Sequence, residues 1–243
     1  MSQKSSLALI VPCYNESETI PYFATELRNF RTQFKQKLPD WDLSVIVVDN
    51  NSTDNSIELL QALQKQTNGF NLLSCKAQGY GAALKHGFSL ASADYLAFLD
   101  LDNTYPMTSL FELLNKQKAE NSDIVYGARI HNASEISLIR YLGNQFYVVL
   151  LKYLFRSKLT DVCSGMRVFR SSLKNHILEL KSDDLSFSID FTATVLKNDW
   201  KISEHPIPYR NRIGESKLSV VKDGSLFLLI VLKNYFKKNR INV

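Results

Sequence analysis

The stretch YLAFLDLDNTYP, from Tyr95 to Pro106, joins an apolar run to a turn that carries two acidic residues. Residues 95–99 have the length and the aromatic and aliphatic composition of a buried β-strand. Asp100 and Asp102 follow as the chain leaves that strand. The pattern favours a divalent metal site, because hard ions such as Mg²⁺ bind carboxylate oxygens while they keep waters and substrate phosphates. An acidic pair of this kind is also typical of a plain turn, but its position directly after an apolar strand favours the site.

Around this stretch, short runs of β-branched and aliphatic residues alternate with segments of helical periodicity. Strands are predicted at residues 7–11, 43–48, 71–74, 95–99 and 123–128. Between the first two, apolar residues at intervals of three and four predict a helix, N-capped by Asn15 or Ser17. These residues are Ile20, Phe23, Leu27, Phe30 and Phe34. The alternation predicts an α/β fold, with a Rossmann-like, mostly parallel sheet flanked by helices.

Polar residues follow the other predicted strands as well. Asp49 comes directly after the second strand, and Glu16 lies shortly after the first. In an open parallel sheet, ligands bind beyond the carboxyl ends of the strands. Carboxylates gathered there repel one another unless a cation shares the site, which favours a divalent ion. Asp54 is predicted to cap a helix instead, whereas Asp49 fits either role.

A glycine-containing segment, QGYGAA at residues 78–83, resembles a phosphate-binding loop only superficially. It lacks the third glycine of the dinucleotide fingerprint and the Gly-Lys-Ser/Thr of a P-loop. The sequence therefore argues against NAD binding and ATP hydrolysis. We interpret these glycines and alanines as positions where a helix approaches the sheet and a bound ligand closely.

The second half of the chain follows a different pattern. A long helix is predicted at about residues 139–155, a second acidic loop (LTDVCSGMRVFR) at 159–170, a helix at about 186–197, an extended stretch at 201–210 and a final helix from about Gly224. Because no linker-like segment separates the halves, residues 1–243 are predicted to form one domain. We divide it into residues 1–128, 129–222 and a basic amphipathic C-terminal helix at 223–243.

Composition narrows the class of protein. The chain has 243 residues, of which 45% are hydrophobic, and this excludes disordered and collagen-like classes. The net charge of +5 favours anionic partners, namely phosphates, nucleic acid or acidic lipid. The three cysteines have no partner at metal-site spacing and are predicted to be free thiols. The longest apolar run has seven residues, so we predict a cytoplasmic protein whose membrane contact, where it has one, is peripheral.

Two helical segments carry apolar residues beside basic ones. The stripe in the long helix is predicted to be buried core or a subunit interface, and its flanking basic residues keep lipid contact as the alternative. The stripe consists of Ile139, Leu142, Phe146, Val149, Leu150 and Tyr153, with Arg140, Lys152, Arg156 and Lys158 along it. The final helix carries Lys233, Lys237, Lys238 and Arg240, and it fits either a core-packing helix or one that lies on an anionic membrane.

Five strings now point to a family. VPCYNE, VVDNNSTDNS, GYGAALKHGF, FLDLDNTYP and YRNRIGESKL, in this order, resemble the inverting family 2 glycosyltransferases of the GT-A fold. Within that family the chain is most similar to the branch of dolichyl-phosphate mannosyltransferases and bacterial polyprenyl-phosphate glycosyltransferases, over residues 7–232. The resemblance implies a nucleotide-diphosphate sugar as donor, with GDP or UDP, a Mg²⁺ or Mn²⁺ ion, and transfer of the sugar with inversion.

The resemblance also implies roles for individual residues. It places donor binding at Pro12, Tyr14, Glu16, Asp49, Asp100, Leu101, Asp102, Arg212 and Lys217. It places metal binding at Asp100, Asp102 and Thr104, and catalytic roles at Asp100, Asp102, Asp161 and Arg129. It places the acceptor or its phosphate at Ser164, Arg167, Arg210 and Ser216. Two positions depart from the family pattern: Asn50 replaces a second Asp, and Asp190 stands alone where members often carry two acids.

The acceptor decides whether a base is needed. A polyprenyl or dolichyl phosphate is already an anion and needs none, whereas a saccharide or protein hydroxyl must lose a proton, for which Asp161 is the candidate. The first hypothesis is therefore hexose transfer, of mannose or glucose, to a polyprenyl phosphate, and the second is the same donor chemistry with a hydroxyl acceptor. A nucleic-acid-binding module is supported only by the sequence pI near 9.0, and we expect no nucleic acid partner.

Overall fold

A computed structural model describes residues 4–129, 138–214 and 220–241. Seven strands form one sheet in the order β3-β2-β1-β4-β6-β5-β7. The strands are β1 (Ser5–Cys13), β2 (Trp41–Asp49), β3 (Asn71–Ser74), β4 (Tyr95–Phe98), β5 (Ile124–Arg129), β6 (Arg167–Arg170) and β7 (Ile202–Ile207). The helices are α1 (Ile20–Lys37), α2 (Ser56–Thr67), α3 (Tyr80–Leu90), α4 (Ser109–Glu120), α5 (Leu138–Phe155), α6 (Lys174–Leu178), α7 (Phe187–Lys197) and α8 (Val220–Ile241). The predicted α/β fold is confirmed.

The centre of the sheet explains why the first strand has no polar alternation. β1 pairs in parallel with β2 on one side and β4 on the other, with Leu9 opposite Val45 and Ala97. Leu9 is fully buried because helices cover both faces of the sheet. A strand buried on both faces is typically a continuous apolar run. One apolar core packs α1, α2 and α4 against the sheet, and a second packs α3, α5, α7 and α8 against the other face.

The strand β6 was not predicted. It is antiparallel and lies between β4 and β5, with Phe98 opposite Arg167 and Tyr126 also opposite Arg167. The region was predicted only as an acidic loop, because four residues bounded by arginines have too little periodicity to indicate a strand. The antiparallel direction matters for the site, since it brings the loop before β6 to the edge where β4 ends.

The glycines near α3 allow close packing, as interpreted from the sequence. A Cβ atom on Gly87 would lie 2.6 Å from Cγ2 of Ile10 in the central strand. A Cβ atom on Gly81 would lie 2.6 Å from the carbonyl oxygen of Ser182. At Gly79, where φ is +136°, a side chain would meet the backbone of Asp183. These glycines therefore hold α3 against both the sheet and the loop before α7.

The predicted cap of α1 was wrong. The N-cap residue is Thr19, and neither Asn15 nor Ser17 caps the helix. Asn15 instead has φ of 52° and accepts a 2.8 Å hydrogen bond from the backbone N–H of Thr53, which joins the loops after β1 and β2. The predicted cap of α2 was also wrong, since the N-cap residue is Asn55, but Asp54 accepts a 3.0 Å hydrogen bond from the backbone N–H of Ser56, the first residue of α2.

The helices α5 and α8 were predicted at these places in the chain, and both pack on α7 or on each other. The hydroxyl of Tyr147 in α5 donates a 2.5 Å hydrogen bond to the carbonyl of Gly224 in α8. Within residues 4–129, 138–214 and 220–241, no helix has both the length and the hydropathy that a membrane span requires.

Candidate active site

A cleft of about 290 Å³ opens at the carboxyl edge of the sheet. Its wall contains most of the predicted donor residues from the ends of β1 and β4, together with one arginine from the loop after β7. These residues are Pro12, Tyr14, Glu16, Asp100, Leu101, Asp102 and Arg212. The prediction that the strand ends meet at one site therefore agrees with the geometry.

Asp102 is the most tightly held residue of the cleft. One oxygen, Oδ1, accepts hydrogen bonds from the backbone N–H of Thr104 at 3.0 Å and from its hydroxyl at 2.6 Å. The turn requires Asn103 in the left-handed region, at φ of 64°. Thr104 is fully buried, so its hydroxyl orients the carboxylate. The other oxygen, Oδ2, is buried, and among the described residues its contact is an ion pair with Arg212.

Asp100 lies beside this carboxylate in a partly buried position. Its Oδ1 accepts a 2.7 Å hydrogen bond from the hydroxyl of Tyr80. Its Oδ2 lies so close to Gly165 that a Cβ atom there would stand 2.2 Å away. Burial and the neighbouring charge of Asp102 raise the pKa of Asp100 to about 7. Two carboxylates that repel each other at a cleft are the electrostatic setting that a bound cation relieves.

These residues fit a divalent metal ion. The ion would find two carboxylates, and the second oxygen of Asp102 is paired only with the guanidinium of Arg212. In the described part of the chain, no group of three His, Cys, Asp or Glu side chains has a metal-binding arrangement. A site with few protein ligands is typical of Mg²⁺ held together with substrate phosphates and waters.

Arg212 supplies the positive charge at this carboxylate. Its Nη2 lies 2.5 Å from Asp102 Oδ2. The segment that carries it is fixed on the turn, since the N–H of Arg210 donates to the carbonyl of Thr104 at 2.9 Å and that of Ile213 to the carbonyl of Asp102 at 3.3 Å. Arg212 therefore lies over the position that the carboxylate pair offers to a cation.

Asp49 and Asn50 follow each other at the end of β2, but they differ in whether they line the cleft. Asp49 is 5% exposed, and its Oδ1 has no hydrogen-bond partner among the described residues, but it does not line the cleft. Asn50 does line it, and its amide accepts a 2.7 Å bond from the N–H of Gly79 while donating a 2.6 Å bond to the carbonyl of Ala77. The asparagine thus fixes the glycine segment against the strand ends.

Asp161 and Arg129 form a closed ion pair away from the cleft wall. Nε and Nη2 of Arg129 lie 2.6 and 2.7 Å from the two carboxylate oxygens of Asp161, which is 1% exposed. Although burial opposes ionisation, the Arg129 charge and its hydrogen bonds hold the pKa of Asp161 below its ordinary value. With both oxygens bonded to a guanidinium, Asp161 is poorly placed to accept a proton.

Two predicted acceptor residues are buried in the core and cannot contact a substrate in this structure. Arg167 is fully buried with its guanidinium 4.3 Å from the centre of the Tyr126 ring, and it donates to the carbonyls of Ser164, Val162 and Ser188. The hydroxyl of Ser164, also fully buried, donates a 2.6 Å bond to the carbonyl of Gly127. Their role at the acceptor stays a prediction, and in this structure they hold the loop before β6 in place.

The remaining acceptor residues are only partly described. Arg210 pairs with Glu26 at 2.8 Å. Ser216 and Lys217 lie outside the described residues. Asp190, whose role the sequence left open, is buried and accepts bonds from Ser182 at 2.9 Å and from Asn234 at 3.3 Å, which ties α7 to α8.

Some cleft residues were missed. The wall includes Gln78 and Tyr80 from the glycine segment and Asp184 and Leu185 from the loop before α7. The glycine segment had been interpreted as a close approach to the sheet and to a bound ligand, without naming Gln78 or Tyr80 as site residues. Nothing in the residues around Leu185 indicates that this loop reaches the cleft. The contact depends on Gly79 and Gly81, which allow it.

Comparison with known proteins adds independent findings. The family model described as "Glycosyl transferase family 2" matches residues 8–178. The chain is 27% identical over 220 residues to a dolichyl-phosphate hexose transferase of Haloferax volcanii, covering 90% of this chain and 89% of that protein. It is 28% identical over 193 residues to the low-salt glycan biosynthesis hexosyltransferase Agl6 of the same organism, covering 78% of this chain but only 45% of the relative. It is 27% identical over 221 residues to an undecaprenyl-phosphate 4-deoxy-4-formamido-L-arabinose transferase of Yersinia enterocolitica, covering 89% of this chain and 63% of the relative.

Solved structures share the fold. Mannosyl-3-phosphoglycerate synthase from Rubrobacter xylanophilus matches with a TM-score of 0.70 at 14% identity, covering 98% of this chain and 75% of that one. Glucosyl-3-phosphoglycerate synthase from Mycobacterium tuberculosis, solved with Mn²⁺, UDP and glucosyl-3-phosphoglycerate, matches with a TM-score of 0.67 at 17% identity, covering 96% of this chain and 80% of that one. At such identities the likeness establishes the fold alone.

Proposed function

Because the chain belongs to glycosyl transferase family 2, we propose that it transfers a hexose, mannose or glucose, from a GDP- or UDP-sugar to a polyprenyl or dolichyl phosphate, with inversion. The observation that carries the donor half is Asp102. This carboxylate lines the cleft at the end of β4, where Thr104 fixes one oxygen and the other is buried and paired with the guanidinium of Arg212. Asp100 completes the pair.

The metal, Mg²⁺ or Mn²⁺, would be held by Asp100 and Asp102 and would neutralise charge on the leaving diphosphate. Thr104, which the resemblance placed among the metal residues, is proposed to orient Asp102. Its hydroxyl is already bonded to that carboxylate. The Mn²⁺- and UDP-bound synthase of the same fold is consistent with this arrangement.

The donor would lie along the cleft between the ends of β1 and β4. Pro12, Tyr14 and Glu16 are proposed to contact its nucleoside, since they line the cleft at the end of β1. Arg212, which reaches Asp102 from the opposite side, is proposed to pair with the diphosphate together with Lys217. Fixed cations aimed at a leaving phosphate stabilise the charge that develops there.

The state of Asp161 favours a phosphate acceptor over a hydroxyl. A hydroxyl acceptor needs a base, and the candidate carboxylate is neutralised by Arg129 through two hydrogen bonds. A phosphate acceptor is already ionised and attacks without giving up a proton. The similarity to a dolichyl-phosphate hexose transferase over 90% of this chain supports the same choice. We further propose that the protein works at the cytoplasmic face of a membrane.

The test is a transfer assay with purified protein. Radiolabelled UDP-glucose or GDP-mannose is incubated with Mn²⁺ and a detergent-dispersed polyprenyl phosphate, and the lipid fraction is extracted and counted. We expect metal-dependent label in the lipid for one donor and none with Asp102→Asn. Asp42→Asn, at an exposed position at the other end of β2, is the matched control and should retain transfer. Label in a saccharide acceptor but not in the lipid would favour the hydroxyl alternative.

A further inference from the structure

Exposed apolar side chains are concentrated on two helices. Among the described residues, thirteen large hydrophobic side chains are exposed, and ten of them belong to α5 and α8. These are Leu138, Ile139, Tyr141, Leu142, Phe146, Val149 and Tyr153 in α5 and Leu226, Leu229 and Phe236 in α8. We name them, with the basic residues identified below, the α5–α8 face. A concentration of this kind typically marks a binding surface, whereas scattered exposed apolar residues do not.

The exposed stripe of α5 bears on the prediction for the long helix. Its residues were predicted as buried core or a subunit interface, and burial in the core is wrong for most of them, with Tyr153 82% exposed. Leu150 is the exception, since it packs partly against the core. Other residues of the helix, Tyr147 and Leu151, form its buried side. Because the helix is apolar on both sides, its periodicity indicates two apolar stripes without indicating which one enters the core.

The two helices run parallel and side by side. The rings of Tyr147 and Phe227 lie 5.8 Å apart, and those of Phe155 and Tyr235 lie 5.7 Å apart. Each second contact comes eight residues after the first in both helices, which is possible only when the helices point the same way. The exposed apolar side chains of the two helices therefore lie on either side of the contact between α5 and α8.

The charge on this face has a single sign. The sequence contains no Asp or Glu from position 138 to 158 or from 224 to 243. The exposed basic residues there are Lys152, Arg156, Lys158, Lys233 and Lys237. An apolar surface with a cationic rim matches a bilayer, whose interior is apolar and whose anionic headgroups attract lysine and arginine. A second copy fits less well, because a two-fold contact would bring these positive charges together.

The face is also connected to the cleft edge. α5 begins at Leu138, nine positions after Arg129 at the end of β5, and α8 begins at Val220, eight positions after Arg212. Both parallel helices therefore start from segments that belong to the carboxyl edge of the sheet. A lipid whose tail stays in the bilayer would be offered to the protein from this side.

We infer that the α5–α8 face docks on an anionic bilayer, with both helices lying in the headgroup layer. The inference deepens the proposed function, on which it rests for the lipid nature of the acceptor. The docking itself is measurable without donor, metal or acceptor.

The experiment is co-sedimentation of the purified chain with vesicles. Vesicles of phosphatidylcholine alone are compared with vesicles that also contain phosphatidylglycerol, at low and at high salt. We expect binding at least about tenfold stronger to the anionic vesicles, and weaker at high salt, because several basic residues contribute. Lys233→Glu/Lys237→Glu should lose this preference, whereas Lys65→Glu, at an exposed position of α2, should keep it.

A second pair of variants tests the apolar part. Leu229→Ser and Leu90→Ser change leucines of similar exposure, 65% and 59%, and only the first lies on the face. We expect Leu229→Ser to reduce vesicle binding several-fold and Leu90→Ser to leave it unchanged. Thermal stabilisation by Mn²⁺ with UDP or GDP, measured in parallel, confirms that each variant is folded.

Three results would overturn the inference: equal binding to both vesicle types, no binding to either, or equal loss for Leu229→Ser and Leu90→Ser. A dimer in sedimentation velocity that Leu229→Ser dissociates, without vesicle binding, would show that a second copy covers the face instead. In each case, lipid-phosphate transfer in detergent would leave the proposed function standing. Vesicle binding without any transfer of sugar to the lipid would support the docking and contradict the proposed function.

Discussion

Asp102 and Asp161 are both buried carboxylates near the carboxyl edge of the same sheet, and each contacts an arginine. The guanidinium of Arg129 donates two hydrogen bonds to Asp161, one to each carboxylate oxygen. Arg212 contacts only one oxygen of Asp102, Oδ2, in a 2.5 Å ion pair, and Asp102 lines the cleft whereas Asp161 does not. Of these two acidic residues, only Asp102 therefore presents its carboxylate to the cleft. We therefore treat Asp161 as a positioning residue and Asp102 as the ligand-binding one.

The largest expected effect is the loss of transfer in Asp102→Asn. Removing this charge deletes the fixed ligand of the cation that would balance the leaving diphosphate. We expect the transfer rate to fall by at least about 10³-fold, with thermal unfolding of the metal-free protein little changed. Rates with saturating donor and Mn²⁺ check this. A variant that keeps a tenth of the activity or more would show that the two carboxylates do not differ as described.

The next effect concerns folding, and it belongs to the other carboxylate. Asp161→Asn leaves the buried guanidinium of Arg129 without a counter-charge, and we expect the free energy of unfolding to fall by about 3 kcal/mol. Chemical denaturation measures it. Lys116→Gln, which removes the more exposed 2.6 Å pair with Glu120, is the control and should cost less than about 0.5 kcal/mol.

Activity of the same variant separates the two acceptor classes. Per folded molecule, Asp161→Asn should lose less than about tenfold in transfer to a lipid phosphate, which needs no base. Near-total loss in folded protein would instead restore Asp161 as a base and favour a hydroxyl acceptor.

A smaller effect is expected at Gly165, which packs against Asp100, one of the two carboxylates proposed to hold the metal. In Gly165→Ala the new Cβ atom would lie 2.2 Å from Asp100 Oδ2, so the carboxylate must turn away. We expect Mn²⁺ affinity to fall by about tenfold, equivalent to about 1.4 kcal/mol, while the protein stays folded. Gly143→Ala, where a Cβ atom meets nothing within 4 Å, is the matched control. Equal Mn²⁺ affinity in both variants would contradict the placement of Asp100 in the site.

The smallest effect is a pH dependence. The pKa of Asp100 is raised from 3.8 to about 7 in the folded protein. Between these values the folded state binds more protons than the unfolded state, so the metal-free protein should lose stability as pH rises through this range. Mn²⁺ affinity should rise over the same range, because the ion needs both carboxylates ionised.

The variant Asp100→Asn isolates this contribution. Thermal unfolding of the wild type minus that of the variant, from about pH 5 to about pH 8, should show the decline with pH. A difference that does not change with pH would show that the pKa of Asp100 is not raised in the folded protein.

The carboxylates proposed for the donor site could be predicted from the sequence, because the pattern that indicates them is local. Asp100 and Asp102 directly follow an apolar strand, and parallel strands bring their ends to one edge. Asn50 was noted as a departure from the family, but its bonds to Gly79 and Ala77 cross between loops, and local patterning does not show them.

The acceptor side could not be predicted in the same way. The burial of Arg167 depends on rings from β4, β5 and α7, which meet only in the folded chain. The strand that carries it, β6, has four residues and no usable alternation. The outward stripe of α5 has the periodicity of a core stripe, and only the packing of Tyr147 on Phe227 decides which side is buried.

Equilibrium binding of Mn²⁺ in the presence of UDP or GDP, with free Mn²⁺ followed by electron paramagnetic resonance, distinguishes the roles of Asp102 and Asp161. Wild type and Asp161→Asn, at a temperature where both are folded, should each bind one ion, and Asp102→Asn should bind none. Mn²⁺ binding that survives in Asp102→Asn, or that disappears in folded Asp161→Asn, would contradict the assignment of the two carboxylates.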